Sequence, residues 1–189
     1  NSRAEYSRLA ALFFIQWMGL AVWTVPLTLV LNAHGYAVIQ PLAFATSAIA
    51  AFVSPLFFGA MADRHMAPTR VLRWLSCGAA LALVLVGLAI NWQCNAWGVL
   101  GLIQLYNLCS APTISLTTSI TMSRLDEPKR QFGPVRALGT IGWMAGCLLI
   151  SVLNADASTL AGFTGALLWL GLAGFTFLLE NNTRITTCT

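Results

Sequence analysis

Six long apolar runs, parted by short polar breaks, leave this chain one solvent in which it can fold. The runs are Leu9–Leu31, Pro41–Ala62, Trp74–Ile90, Trp97–Ser123, Ala137–Leu153 and Leu160–Leu179. The breaks read NAHGY, DRHMAPTR, NWQCN, RLDEPKRQFGP and NADAS. Each run is near the ~20 residues a helix needs to cross a bilayer. A soluble domain carries about a quarter charged residues. Here the share is 8%, with 58% hydrophobic residues, so lipid must cover what water cannot. The same figures exclude a disordered chain and a nucleic-acid module. The expected fold is therefore an all-α integral membrane protein of six transmembrane helices.

The basic residues give that bundle a direction. Arg3 and Arg8 precede the first run, Arg64, Arg70 and Arg73 lie between the second and third, and Arg124, Lys129, Arg130 and Arg136 between the fourth and fifth. Arg184 follows the sixth, which accounts for all ten Lys and Arg residues. The breaks after the first, third and fifth runs hold none. Cytoplasmic loops collect Lys and Arg, so both termini are expected in the cytoplasm, with the protein in the cytoplasmic (inner) membrane. The net charge of +4 marks topology rather than an acidic partner.

Chemistry of the enzymatic kind finds no footing. The acids are Glu5, Asp63, Asp126, Glu127, Asp156 and Glu180, all at run ends or in breaks. None lies at mid-membrane, where proton relays sit. The cysteines Cys77, Cys94, Cys109, Cys147 and Cys188 have no ligand spacing, and His34 and His65 fall in different breaks. No metal site is expected, and no enzyme.

The polar residues inside the runs fall on faces. At 100° per residue, Gln104, Asn107, Ser115 and Thr118 of the fourth run share an arc of roughly 80°. Gln16 and Trp23 share a face of the first run with Leu20 and Leu27. In the fifth, Arg136, Thr140, Trp143 and Cys147 fall within about 60°, and Gly139, Gly142 and Gly146 form a second stripe roughly 90° away. One face offers donors and an aromatic plane. The other lets a neighbouring backbone come close, as small residues do in membrane helices. Two readings of Arg136 stay open on spacing alone: a group lining a wet cavity, or a cation snorkelling to the interface. Trp17, Trp74, Trp92 and Trp97 suit an interfacial belt, and Pro26, Pro55 and Pro112 predict kinks.

The stretch GAMADRHMAPTR, Gly59 to Arg70, resembles the G-x-x-x-D-[RK]-x5-[RK] signature that the major facilitator superfamily carries between its second and third helices. The first run, FIQWMGLAVWTVPL, is similar to the F-x-Q…W-x-x-P-L pattern of the nucleoside:proton symporter family within it. APTISLTTSITMSRL and FGPVRALGTIGW resemble that family's fourth- and fifth-helix patterns. The resemblance spans Phe14 to Trp143, with two departures: Thr118 stands where the family often has asparagine, and Ser110-Ala111 where it has Tyr-Met.

That resemblance implies one six-helix half of a major-facilitator-type bundle, working by alternating access. It implies that Arg136, Thr140 and Trp143 contact a nucleoside, with Gln16, Trp23, Gln104, Asn107 and Thr118 as further lining. It implies a conformational lock from Gly59, Asp63, Arg64 and Arg70. No cofactor is expected beyond a proton gradient, and no partners beyond the solute, the lipid bilayer and a carboxy-terminal half. The chain starts at Asn1 and ends in a polar tail, which is read as the amino-terminal half, with the proton-coupling carboxylate in the other. The alternatives are a carrier of the same superfamily for a sugar or drug, and a truncated membrane protein that transports nothing.

Overall fold

The computed structural model describes residues 2–45, 47–50, 52 and 67–186, all helix and turn. The elements are α1 (Ser2–Thr24), α2 (Leu27–Ala33), a short apolar helix α3 (Ala37–Ala50), α4 (Pro68–Asn91), α5 (Ala96–Arg124), α6 (Pro128–Val152) and α7 (Leu160–Thr186). Among the described residues five stretches, with α1 and α2 counted together, are long and apolar enough to cross a membrane. The second expected run extends from α3 beyond the described residues. Gly59, Asp63 and Arg64 of the lock signature, with Pro55, lie outside them too.

The prolines act in different ways. Pro26 separates α1 from α2 at a two-residue turn, because it has no N–H to give the preceding turn and its ring crowds that turn's carbonyl. Pro112 and Pro134 stay inside continuous helices. Pro68 and Pro128 begin α4 and α6, where a missing N–H costs nothing. The last of these corrects the expected break. Residues Lys129 to Arg136 are not loop: with Pro128 as a start, the helix runs on through them and holds Arg136 more than two turns from its beginning.

Contacts fix the directions. Gly142 of α6 meets Phe14 of α1, and Gly146 meets Met18 and Ala21, so α1 and α6 run parallel. Gly19 of α1 faces Leu168 and Trp169 of α7, while Trp23 faces Gly162, so these two run antiparallel. Arg73 of α4 donates to Thr176 of α7 at 2.9 Å, and at the other end Thr159 donates to Asn91 at 2.9 Å. α4 therefore starts at the same end as α1 and α6. The Tyr36 hydroxyl, just past α2, donates to the Cys94 carbonyl beyond the far end of α4 at 2.7 Å.

Arg3, Glu5, Arg124, Asp126, Glu127 and Arg130 line one cleft of about 730 Å³ at the starting end. Arg124 donates to the carbonyl of Leu179, late in α7, at 3.1 Å. The sorting of charge read from the sequence is thus a sorting in space. Between the ends, Leu12, Trp23, Leu83, Ile103, Tyr106 and Trp169 form a fully buried core.

Candidate solute site on the fifth spanning helix

Arg136, Thr140 and Trp143 are spaced by four and three residues, so α6 stacks them on one face. The adjoining glycine stripe faces α1. A Cβ at Gly142 would overlap the Phe14 carbonyl oxygen, and one at Gly146 would stand 2.8 Å from that of Met18. One at Gly139 would stand 2.6 Å from the Trp17 indole. The stripe brings the helices together and leaves the arginine face beside the seam. Of the apolar stretch of α6 only 28% is buried, the smallest share among the five long stretches. Arg136 and Thr140 are exposed, Trp143 half-buried.

Trp17 joins these residues. Its ring centroid lies 6.0 Å from that of Trp143, with the planes 59° apart. The Arg136 guanidinium carbon lies 5.8 Å from the Trp17 ring centroid, within cation–π reach. Gly139 leaves Trp17, expected in the interfacial belt, room between α1 and α6. Trp74, Trp92 and Trp97 are exposed.

The structure gives the place of Arg136 along the helix. It stands eight residues into α6, a rise of about 12 Å at 1.5 Å per residue. Its guanidinium keeps to a ring that also touches Gly139 and Trp143, both further along the helix. Lipid supplies no hydrogen-bond partner for an exposed guanidinium; water or a polar solute on this face of α6 would.

The other expected residues separate into two groups. On α5, Gln104, Asn107 and Thr118 are half-buried; the Gln104 Oε1 is enclosed without a hydrogen bond, and Thr118 donates to the Ile114 carbonyl at 2.8 Å. Gln16 and Trp23, each 1% exposed, are turned inward instead. The Gln16 amide donates to Thr113 Oγ1 at 3.0 Å, and Thr113 donates to the Ser110 carbonyl at 2.5 Å. Thr113 lies nine residues from Gln104, about half a turn around α5 at 3.6 residues per turn. The Gln16 bond and the Gln104 stripe thus occupy opposite flanks. Trp23 packs on Gly162 and Gly165 of α7. A helical wheel finds a face without saying which neighbour covers it. Arg70, the described member of the lock signature, is exposed in the first turn of α4.

A family model described as nucleoside H+ symporter matches residues 5–186. The chain belongs to the nucleoside H+ symporter family. Among its relatives, YegT of Escherichia coli (strain K12), a protein provisionally named for nucleoside transport, is 32% identical over 148 residues, 78% of this chain and 34% of YegT. The xanthosine permease of the same organism is 26% identical over 160 residues, 81% of this chain and 37% of the permease. Two crystal structures of the nucleoside transporter NupG, one of a point mutant, share its fold with a TM-score of 0.81. They are 21% and 22% identical and cover 91% and 92% of this chain, but it spans only 43% and 44% of theirs. The family member described here is thus a multi-pass membrane protein that spans less than half the length of each of these relatives, which are transporters and not enzymes.

Proposed function

We propose that this chain is the amino-terminal six-helix half of a proton-driven nucleoside importer of the cytoplasmic membrane, with both termini in the cytoplasm. Nucleoside and proton move together by alternating access. Arg136, Thr140 and Trp143 meet the nucleoside, with Gln104, Asn107 and Thr118 on α5. Gln16 and Trp23 support that wall from behind. Arg70, with Gly59, Asp63 and Arg64, belongs to the lock between the halves, and the proton-coupling carboxylate belongs to the carboxy-terminal half.

One observation carries this reading: a guanidinium held against Trp17 beside Trp143 on an exposed helix face. Trp143 has a ring face for a base. Arg136 and Thr140 have donors for base or ribose oxygens. A polar solute in a wet cavity supplies partners that lipid lacks. The basic residues gathered at one end of the bundle support the orientation.

The test uses the complete transporter in proteoliposomes with an imposed pH gradient. Uptake of labelled uridine or adenosine is expected, and Arg136→Ala is expected to abolish it while insertion persists. Native uptake by that variant removes Arg136 from the site. A thermal-shift panel of nucleosides, sugars and drugs separates this reading from another carrier of the superfamily, since a bound solute stabilises the fold. Stabilisation by a sugar alone overturns the nucleoside assignment, and stabilisation by none favours a protein that does not transport.

A further inference from the structure

We propose that Trp17 is a positioning residue of the solute site, and that position 139 is glycine because the Trp17 indole fills the space a side chain would need. The inference rests on the reading of Arg136, Thr140 and Trp143 given above. Trp17 belongs to α1, yet three of its neighbours are on α6. Its indole would crowd a Cβ at Gly139 to 2.6 Å, its centroid is 6.0 Å from that of Trp143, and the Arg136 guanidinium lies 5.8 Å from it. The two indoles are too close for a base to enter between them, since a sandwiched ring needs centroids about 7 Å apart at ordinary van der Waals spacing. Trp17 therefore does not hold the solute. It holds the two groups that do.

The contacts divide the work. The Trp143 edge rests on Trp17, which limits the tilt of its ring. The Arg136 cation stays over the π face rather than extending to the interface, so its donors remain at the level of Thr140 and Trp143. Without Trp17, both side chains regain rotamers that solute binding must remove again. The cost falls on affinity more than on the transport cycle.

The experiment measures uptake kinetics of the complete transporter in proteoliposomes, with whichever of uridine and adenosine the wild type takes up. Trp17→Ala is expected to raise KM about ten-fold, the size expected for losing one cation–π contact and one aromatic pair. Vmax per inserted molecule should stay within about two-fold. Trp17→Phe should recover much of the affinity, since a smaller ring keeps both contacts in part. Gly139→Ala should imitate Trp17→Ala by displacing the indole. Gly146→Ala strains the same helix seam away from Trp17, and should lower the folded amount with KM unchanged.

A native KM in Trp17→Ala, where Arg136→Ala abolishes uptake, overturns the role of Trp17 and leaves the site intact. If Trp17→Ala does not insert, a native KM in both Trp17→Phe and Gly139→Ala overturns it equally. A raised KM in Gly146→Ala to the same degree reduces Trp17 to a packing residue. Native kinetics in Arg136→Ala, or no uptake by the wild type, overturns the site itself and this inference with it.

Discussion

Gly142 of α6 lies against the carbonyl oxygen of Phe14 in α1, leaving no space for a methyl group between the two backbones. Gly142→Ala must therefore push the helices apart. A loss of about 1–3 kcal/mol is expected, as for other overpacked sites. Gly171 has open space where a Cβ would go, and Gly171→Ala should be neutral or slightly stabilising. Thermal unfolding in detergent, followed with a thiol-reactive dye, checks the contrast. Equal melting temperatures for the two variants would show that the seam is not close-packed.

Thr113→Val keeps the shape of the side chain but deletes the oxygen that receives the Gln16 amide. The amide is then buried unpaired, at a cost of about 1–2 kcal/mol. In the Gln16→Leu background the same change should cost less, because no donor remains to be stranded. Additive losses across this double-mutant cycle would show that the two side chains are not coupled.

Arg73 braces α4 to α7 through Thr176 and through Phe177, whose ring centroid is 3.5 Å from the guanidinium carbon. Arg73→Lys keeps the charge but loses the planar stack and the Nε donor. We expect a loss of about 1–2 kcal/mol on thermal unfolding. Arg3→Lys, on the rim of the charged cleft, should change stability by less than about 0.5 kcal/mol. A neutral Arg73→Lys would show that the charge alone suffices.

Tyr36 ties the turn after α2 to the Cys94 carbonyl. Burial, helped by Cys94, raises its phenol above the ordinary 10.0. The neutral phenol is thus favoured in the folded state. Its contribution is complete below pH 10 and is lost as pH rises through the folded value, since the unfolded chain releases the proton first. Tyr36→Phe should cost about 1 kcal/mol at pH 7 and show a shallower fall above pH 10 than the wild type. Parallel curves for the two proteins in an alkaline unfolding series would remove Tyr36 as the cause.

The early start of α6 shows where reading the chain alone stops. The stretch RLDEPKRQFGP has two prolines and five charged residues, the marks of a break. Yet Pro128 suits a helix start and Pro134 was absorbed into its second turn. The stripes on α6 were legible because each depends on one helix and its 3.6-residue period. The neighbours of Trp17 and Trp23 were not legible, because those of the first are on α6 and the second is received by Gly162 and Gly165 of α7.

By itself the sequence determined that the chain lives in lipid, which end carries the cations and which face of α6 is polar. Those properties follow from solvent transfer and local periodicity, and both are written along one dimension. Only the tertiary structure decided that Trp17 would stand between Arg136 and Trp143, that Gln16 would turn inward to Thr113, and that glycine would bring α6 onto α1. Such pairings depend on which helices become neighbours and how closely two backbones can approach, and no single helix contains that information.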